Sequence, residues 1–231
     1  MDTPYSLEVH EVVPSTQDLA REKASADRAA VVVAHRQSEG RGRSGARWLS
    51  APRGVAVSVG FVPDWPVATW PRIPLIAGIA ARRVLGWSVT LKWPNDIISS
   101  GKKVGGILVE GAEDVVVAGM GLNLYWPTAP AGIGGLFDHD PGTDDGPRLA
   151  ESWARELLSL LSGSPDDWPR DEYAAACDTL GREITWEPDG AGRAVGIGFD
   201  GALLVETKDG AISELRSGEV RYVRTATEGE S

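Results

Sequence analysis

The sequence predicts an α+β fold, and three observations carry that prediction. Apolar residues recur at strand period over 7–13 and 54–62, whereas 74–85 is apolar nearly all round, as a buried central helix would be. Strand-like and helix-like segments then interleave as far as residue 177. From Gly181 the texture changes to five short strand-like segments separated by Gly and Asp turns. A chain of 231 residues, 42% hydrophobic, is long enough for one large core with a small appendage.

The elements follow in order. Residues 7–13 read as a strand. Ser15 offers an N-cap, with Asp18 three places on as a capping-box variant, so a helix is expected from 16 to about 24. Residues 30–34 form a buried strand. A glycine-arginine loop follows, then a strand at 54–62 in which Val55, Val57 and Val59 alternate. Pro74 opens the buried helix. A short strand, 89–92, is stopped by Trp93-Pro94-Asn95-Asp96, and strands at 104–110 and 115–124 are joined by a turn around 111–114. Residues 126–147, rich in Pro, Gly and Asp, read as a long surface connection. Amphipathic helices are expected at 148–161, where Leu149, Trp153, Leu157 and Leu160 share a face, and at 167–177. The strands expected after the boundary near 179 are 182–187, 193–199, 202–207, 211–216 and 219–224, as a small β-barrel or sandwich. The polar residues from 225 read as a disordered tail.

Composition narrows the function classes. A net charge of −10 argues against a general nucleic-acid binder. The single cysteine, Cys177, excludes an internal disulfide framework and points to a reducing cytoplasm. The N-terminal residues have no signal-peptide pattern, and no apolar stretch is long enough to span a bilayer. Against this acidic background, residues 31–60 hold five arginines and one carboxylate, a local charge of +4. Such a reversal on a glycine-rich segment suits closure over a phosphate-bearing small molecule.

Four segments can carry chemistry. Ser15-Thr16-Gln17, at a helix start, can bind a polar ligand head or simply cap the helix. In Gly40-Arg41-Gly42-Arg43-Ser44-Gly45, glycines let backbone N–H groups approach phosphate oxygens and arginines supply planar donors. A solvated surface loop would look the same. In Lys92-Trp93-Pro94-Asn95-Asp96, a lysine at a strand end can bridge a carboxylate and a phosphate, or snorkel to water. Lys103-Val104-Gly105-Gly106 and Gly119-Met120-Gly121-Leu122-Asn123 place small residues where a flat ligand could lie on the sheet, or where strands pack closely.

Taken together and in this order, the segments resemble the biotin protein ligases. That family's pattern is a Ser-Thr pair, then Gln-x-x-Gly-Arg-Gly-Arg-x-Gly-Arg, Lys-Trp-Pro-Asn-Asp, Lys-x-x-Gly-Ile-Leu-x-Glu and Gly-x-Gly-x-Asn. Its counterparts here are Ser15-Thr16, 37–45, 92–96, 103–110 and 119–123. Segments 200–205 and 217–220 look like the family's small C-terminal domain. Two positions depart from the pattern. Ala46 stands where the family has arginine, with Arg47 one place later, and Gln17 stands where the family has asparagine.

The resemblance implies a class II aminoacyl-tRNA synthetase/biotin ligase-like mixed sheet flanked by helices, with a small SH3-like β-barrel after it. It implies a catalytic domain over 1–179, an SH3-like domain over 180–225 and a tail at 226–231. The implied activity uses ATP and Mg²⁺ to convert biotin to biotinyl-5'-AMP, then transfers biotin to a lysine of a biotin carboxyl carrier domain of an acyl-CoA or pyruvate carboxylase. Arg43 and Lys92 would be catalytic. Ser15, Thr16, Gln17, Gln37, Arg41, Gly42, Arg43, Lys92, Gly105 and Gly106 would hold biotin. Gly40, Arg41, Arg43, Trp48, Asn95, Lys103 and Asn123 would hold ATP and the adenylate, with magnesium bound through ATP and no protein metal site. No helix-turn-helix pattern precedes Leu7, so no DNA partner is expected, nor a membrane; a monomer or weak homodimer is. The arginines of the loop would repel one another until an anion arrives, so the loop is expected to order with ligand. A lipoate or octanoate ligase of the same fold and a non-catalytic binding module with a basic loop are the alternatives.

Overall fold

The computed structural model describes residues 5–25, 28–216, 218 and 220–222. The larger sheet contains β1 (Tyr5–Val13), β2 (Ala29–Gln37), β3 (Arg53–Phe61), β4 (Val89–Lys92), β5 (Asp96–Ser99), β6 (Lys102–Ala112) and β7 (Val115–Tyr125), in the spatial order β1-β2-β3-β7-β6-β5-β4. β1 and β2 are parallel, and every other neighbouring pair is antiparallel. The connections explain this. A parallel return needs a crossover, which α1 (Thr16–Lys23) supplies, whereas β5 to β6 and β6 to β7 are tight hairpins. At the first of these turns Ser100 and Gly101 both take positive φ, 50° and 72°, matching the twist of the flanking strands.

Alternation along the strands separates the two faces. Val31, Val33, Val55, Val57 and Val59 face α2 (Ile73–Leu85) and α3 (Asp145–Leu161), which pack on each other. Trp153 of α3 is fully buried, and its indole N–H donates to the Ala77 carbonyl at 3.0 Å. The opposite face receives α1 through Ala20, Val32 and Val117. A Cβ at Gly60 would strike the Ala20 carbonyl, so this glycine lets the α1 backbone lie directly on β3. That close seat fixes the start of α1 beside the middle of the sheet.

Several expectations are adjusted. The residues after the Trp93-Pro94 turn form a further strand, β5, paired with both β4 and β6. α3 begins at Asp145, and α4 (Arg170–Ala176) is shorter than expected. Much of the 126–147 connection is tied to the sheet: Lys103 N–H donates to the Gly132 carbonyl, and Leu136 N–H to that of Asn123. Ser15 does not cap α1 with its side chain, so no capping box forms.

The expected C-terminal barrel is not formed. β8 (Glu183–Trp186), β9 (Gly190–Ile197), β10 (Leu203–Glu206), β11 (Ile212–Leu215) and β12 (Val220–Tyr222) make an open sheet in the order β11-β10-β9-β8-β12. Closure would require β11 to pair with β12, and among the described residues they do not pair. The reason is geometric. β12 pairs with β8 and β11 with β10, which leaves each of them at an edge of the sheet. One face packs onto the main core through Ile184, Ala194, Leu203 and Val205. The expected tail at 226–231 lies outside the described residues, as do 223–225. Among the described residues no helix is long and apolar enough to cross a membrane.

Candidate active site

A cavity of about 710 Å³ opens on the α1 face of the larger sheet, between the start of α1, the loop 40–48 and strands β3, β6 and β7. One wall is uncharged and polar. The Thr16 backbone N–H and hydroxyl both reach Gln37 Oε1, at 2.8 and 3.1 Å, and the Thr16 hydroxyl lies 2.8 Å from that of Ser58. Gln17 Nε2 donates to Glu110 Oε2 at 3.0 Å, while Gln17 Oε1 is buried without a partner. That oxygen packs against Gly119, where a Cβ would lie 2.7 Å from it.

Beside this wall Arg41 sits in a cluster of mixed charge. The Arg41 guanidinium donates to Ser15 Oγ at 3.0 Å, to both Asp18 oxygens at 2.6 and 3.0 Å, and to both Glu110 oxygens at 3.0 and 3.3 Å. Hydrogen bonding from Arg41 holds the Asp18 carboxyl below its usual range, and the two carboxylates raise the guanidinium's own pKa. The mutual repulsion expected among the loop arginines is therefore already relieved at Arg41. Arg43 reaches across to Asn95 Oδ1 at 3.4 Å and to the Gly218 carbonyl at 3.3 Å. The loop makes its tight turn with two consecutive residues at positive φ, Ser44 at 54° and Gly45 at 75°. Lys103, from β6, pairs with Asp96 at 2.6 Å. Gly42 and Gly106 complete the lining among the expected positions.

The flat surface expected over the strand glycines is filled by a side chain of the protein. A Cβ at Gly121 would lie 2.6 Å from the Trp48 indole, and one at Gly106 would lie 3.2 Å from it. The small residues of β6 and β7 thus seat Trp48, whose indole becomes part of the cavity wall.

Four expected site residues do not line this cavity. Lys92 sits on β4, the outermost strand, and its ammonium lies 4.9 Å from the centre of the Tyr222 ring, toward the C-terminal sheet. The cavity lysine is Lys103. Gly105 faces the other side of the sheet, where a Cβ would meet the Gly121 carbonyl and Ile97. Gly40 supports the loop, its carbonyl accepting from Trp48 N–H at 2.9 Å. Asn123 lies one strand period beyond Gly121, 3% exposed, with Oδ1 unpartnered. Sequence reasoning also missed Asp18, Ser58, Asp96 and Glu110 as site residues. Glu110 had a signal, since it ends the 103–110 segment. Asp18 was masked by its fit to a helix cap, and Asp96 by its place in a turn.

With this geometry in view, comparison with known proteins is specific. Residues 9–123 match the Biotin/lipoate A/B protein ligase family, and residues 179–221 match the Biotin protein ligase C terminal domain. The biotin--[acetyl-CoA-carboxylase] ligase of Mycobacterium tuberculosis is 33% identical over 226 residues, covering 89% of this chain and 84% of that protein. The structure of the biotin protein ligase from Aquifex aeolicus in complex with biotin and ATP superposes with a TM-score of 0.77 at 26% identity, covering 95% of this chain and 99% of that one. The Leishmania major biotin protein ligase in complex with biotinyl-5-AMP gives a TM-score of 0.63 at 27% identity, covering 92% and 99%. The chain belongs to the biotin protein ligase family.

Proposed function

We propose that this cavity joins biotin to ATP, giving biotinyl-5'-AMP and pyrophosphate, and then passes biotin to a lysine of a carrier domain. The observation that carries this reading is the pairing of two unlike walls in one cavity. The Thr16–Gln37 wall offers the donors and acceptors that a ureido ring needs. The other wall carries Arg43 and Lys103, while Arg41 is tied to Ser15 and Glu110 beside the first. Solved relatives holding biotin, ATP or the adenylate support it.

In the first step a biotin carboxylate oxygen bonds to the α-phosphorus, and the bond to the pyrophosphate leaving group breaks. Negative charge accumulates on the α-phosphate oxygens, where fixed cations stabilise the transition state most. Lys103 takes the role that the sequence assigned to Lys92, since its ammonium is the lysine group in the cavity. Arg43, bound to Asn95 and Gly218, closes the loop over the product and shields the mixed anhydride from water. Trp48 provides a flat apolar face for the nucleoside. In the second step the amine of the carrier lysine bonds to the activated carbonyl carbon, and AMP leaves.

Mg²⁺ fits this arrangement as a charge partner for the triphosphate. Among the described residues no group of three or more His, Cys, Asp or Glu side chains could hold a metal. Asp96 is the cavity carboxylate placed to reach Mg²⁺. The natural acceptor in this reading is the biotin carrier domain of an acyl-CoA or pyruvate carboxylase. Residues 1–179 form the catalytic part and 180–225 a smaller unit whose Gly218 carbonyl helps hold Arg43.

Pyrophosphate release from purified protein with ATP and Mg²⁺, in the presence of biotin or of lipoate, tests the reading. Release that depends on biotin is expected. Release that depends on lipoate would overturn the substrate, and release with neither would overturn the chemistry.

A further inference from the structure

A closed circuit of polar contacts runs along the cavity wall. Ser15 Oγ accepts from Arg41, Arg41 donates to Glu110, Glu110 accepts from Gln17, and the backbone returns from Gln17 to Ser15. Glu110 is the member that joins its two halves. One carboxylate oxygen takes both Gln17 Nε2 and Arg41 Nη2, each at 3.0 Å, and the other takes Arg41 Nε at 3.3 Å. Arg21 stands a little farther off, at 4.0 Å.

This sharing settles which way the Gln17 amide points. Its nitrogen faces two acceptors, the Glu110 carboxylate and the Leu108 carbonyl, the latter at 3.5 Å. Turned over, the amide would set its oxygen against both, which a carboxylate forbids. Oε1 therefore lies on the other side, over Gly119 in the cavity wall, 96% buried as a residue and without a donor. A buried acceptor left unpaired is costly. The atom is closed off against Gly119, so a ureido N–H would reach it only after a small shift of the amide.

We propose that Glu110 is a positioning residue for biotin. Its carboxylate anchors the Gln17 amide beside the cavity and holds the Arg41 guanidinium, and hence the start of the loop, against α1. This deepens the functional reading above and rests on it. It also accounts for glutamine at position 17. The extra methylene carries the amide to Glu110, which couples the ligand wall to the loop through one side chain.

The test is a double-mutant cycle in biotin affinity, measured by calorimetry on the full chain with Gln17→Ala, Glu110→Ala and the double variant. Each single variant is expected to weaken biotin binding by roughly tenfold or more, and the double variant to be little worse than either, because both remove the same arrangement. Glu110→Gln keeps an acceptor for Gln17 and loses the ion pair with Arg41, so a smaller loss is expected from it. It also serves if the alanine variant fails to fold. A merely structural role for Glu110 would give additive losses, or an unchanged affinity in every folded Glu110 variant; either overturns the proposal. Failure of the wild-type chain to bind biotin would instead overturn the function on which it rests.

Discussion

The cavity wall and the junction between the two sheets are built by different means. At the wall, Arg41 is held by two carboxylates and a hydroxyl, with Asp18 more than half exposed to water. At the junction the polar groups are buried: Trp93 N–H donates to Thr179 Oγ1 at 3.0 Å, its indole N–H to the Gly201 carbonyl at 3.1 Å, and Trp168 to the Phe199 carbonyl at 2.8 Å. Exposed ion pairs contribute little to stability but can be rearranged by a ligand, whereas a buried, hydrogen-bonded indole contributes strongly and does not move. The comparison also divides a single motif. Lys92 and Trp93 face the junction, whereas Asn95 and Asp96 line the cavity.

Three changes would break or sharpen that contrast. The largest effect is expected at the junction. Trp93→Ala removes a buried indole and its hydrogen bond to the Gly201 carbonyl, and should cost about 3–5 kcal/mol in urea unfolding. A loss below about 1 kcal/mol would show that the junction is not a strong seam. Next, Gly121→Ala forces Trp48 off its seat, since the new methyl would lie within 2.6 Å of the ring. We expect a stability loss of about 1–3 kcal/mol and a clear change in indole fluorescence on ATP addition. An unchanged protein would mean that Trp48 does not rest there.

The smallest effect belongs to the ionic wall. Arg41 holds the folded Asp18 carboxyl below its ordinary value of 3.8, so the pair's contribution is present above that value and lost as pH falls through the lower folded one. Because Asp18 is largely exposed, Asp18→Asn should cost less than about 1 kcal/mol at neutral pH. The difference from wild type should shrink only in the acid range. A gap of constant size from pH 7 down to pH 2 would rule out the ion pair as its source.

Much of this was legible in the residues, and the failures share a cause. The apolar run of α2 and the alternating valines of β3 could be read directly, because burial writes itself into the pattern. Ser15, Thr16, Gln17, Gln37, Arg41 and Arg43 were all singled out and all line one cavity. That Lys92 lies toward the C-terminal sheet is not legible, because a lysine at a strand end carries no mark of the face it serves; the neighbouring strand order decides that. β5 was hidden by its brevity and by the Trp93-Pro94 turn before it. The five C-terminal strands were countable, but whether β11 meets β12 depends on edge pairing that no local pattern encodes. The sequence points to Trp48 as a ligand contact, yet the glycines beneath it first make room for the indole itself.

The most direct measurement compares two lysines. Lys103→Ala and Lys92→Ala would be assayed side by side for biotin-dependent pyrophosphate release under saturating ATP and Mg²⁺, after confirming that both fold. The account predicts a fall of at least about a hundredfold for Lys103→Ala, the size expected for losing one fixed group that stabilises developing charge, and a change of only a few fold for Lys92→Ala. The reverse order, with Lys92 indispensable and Lys103 dispensable, would contradict the placement of the reaction in this cavity.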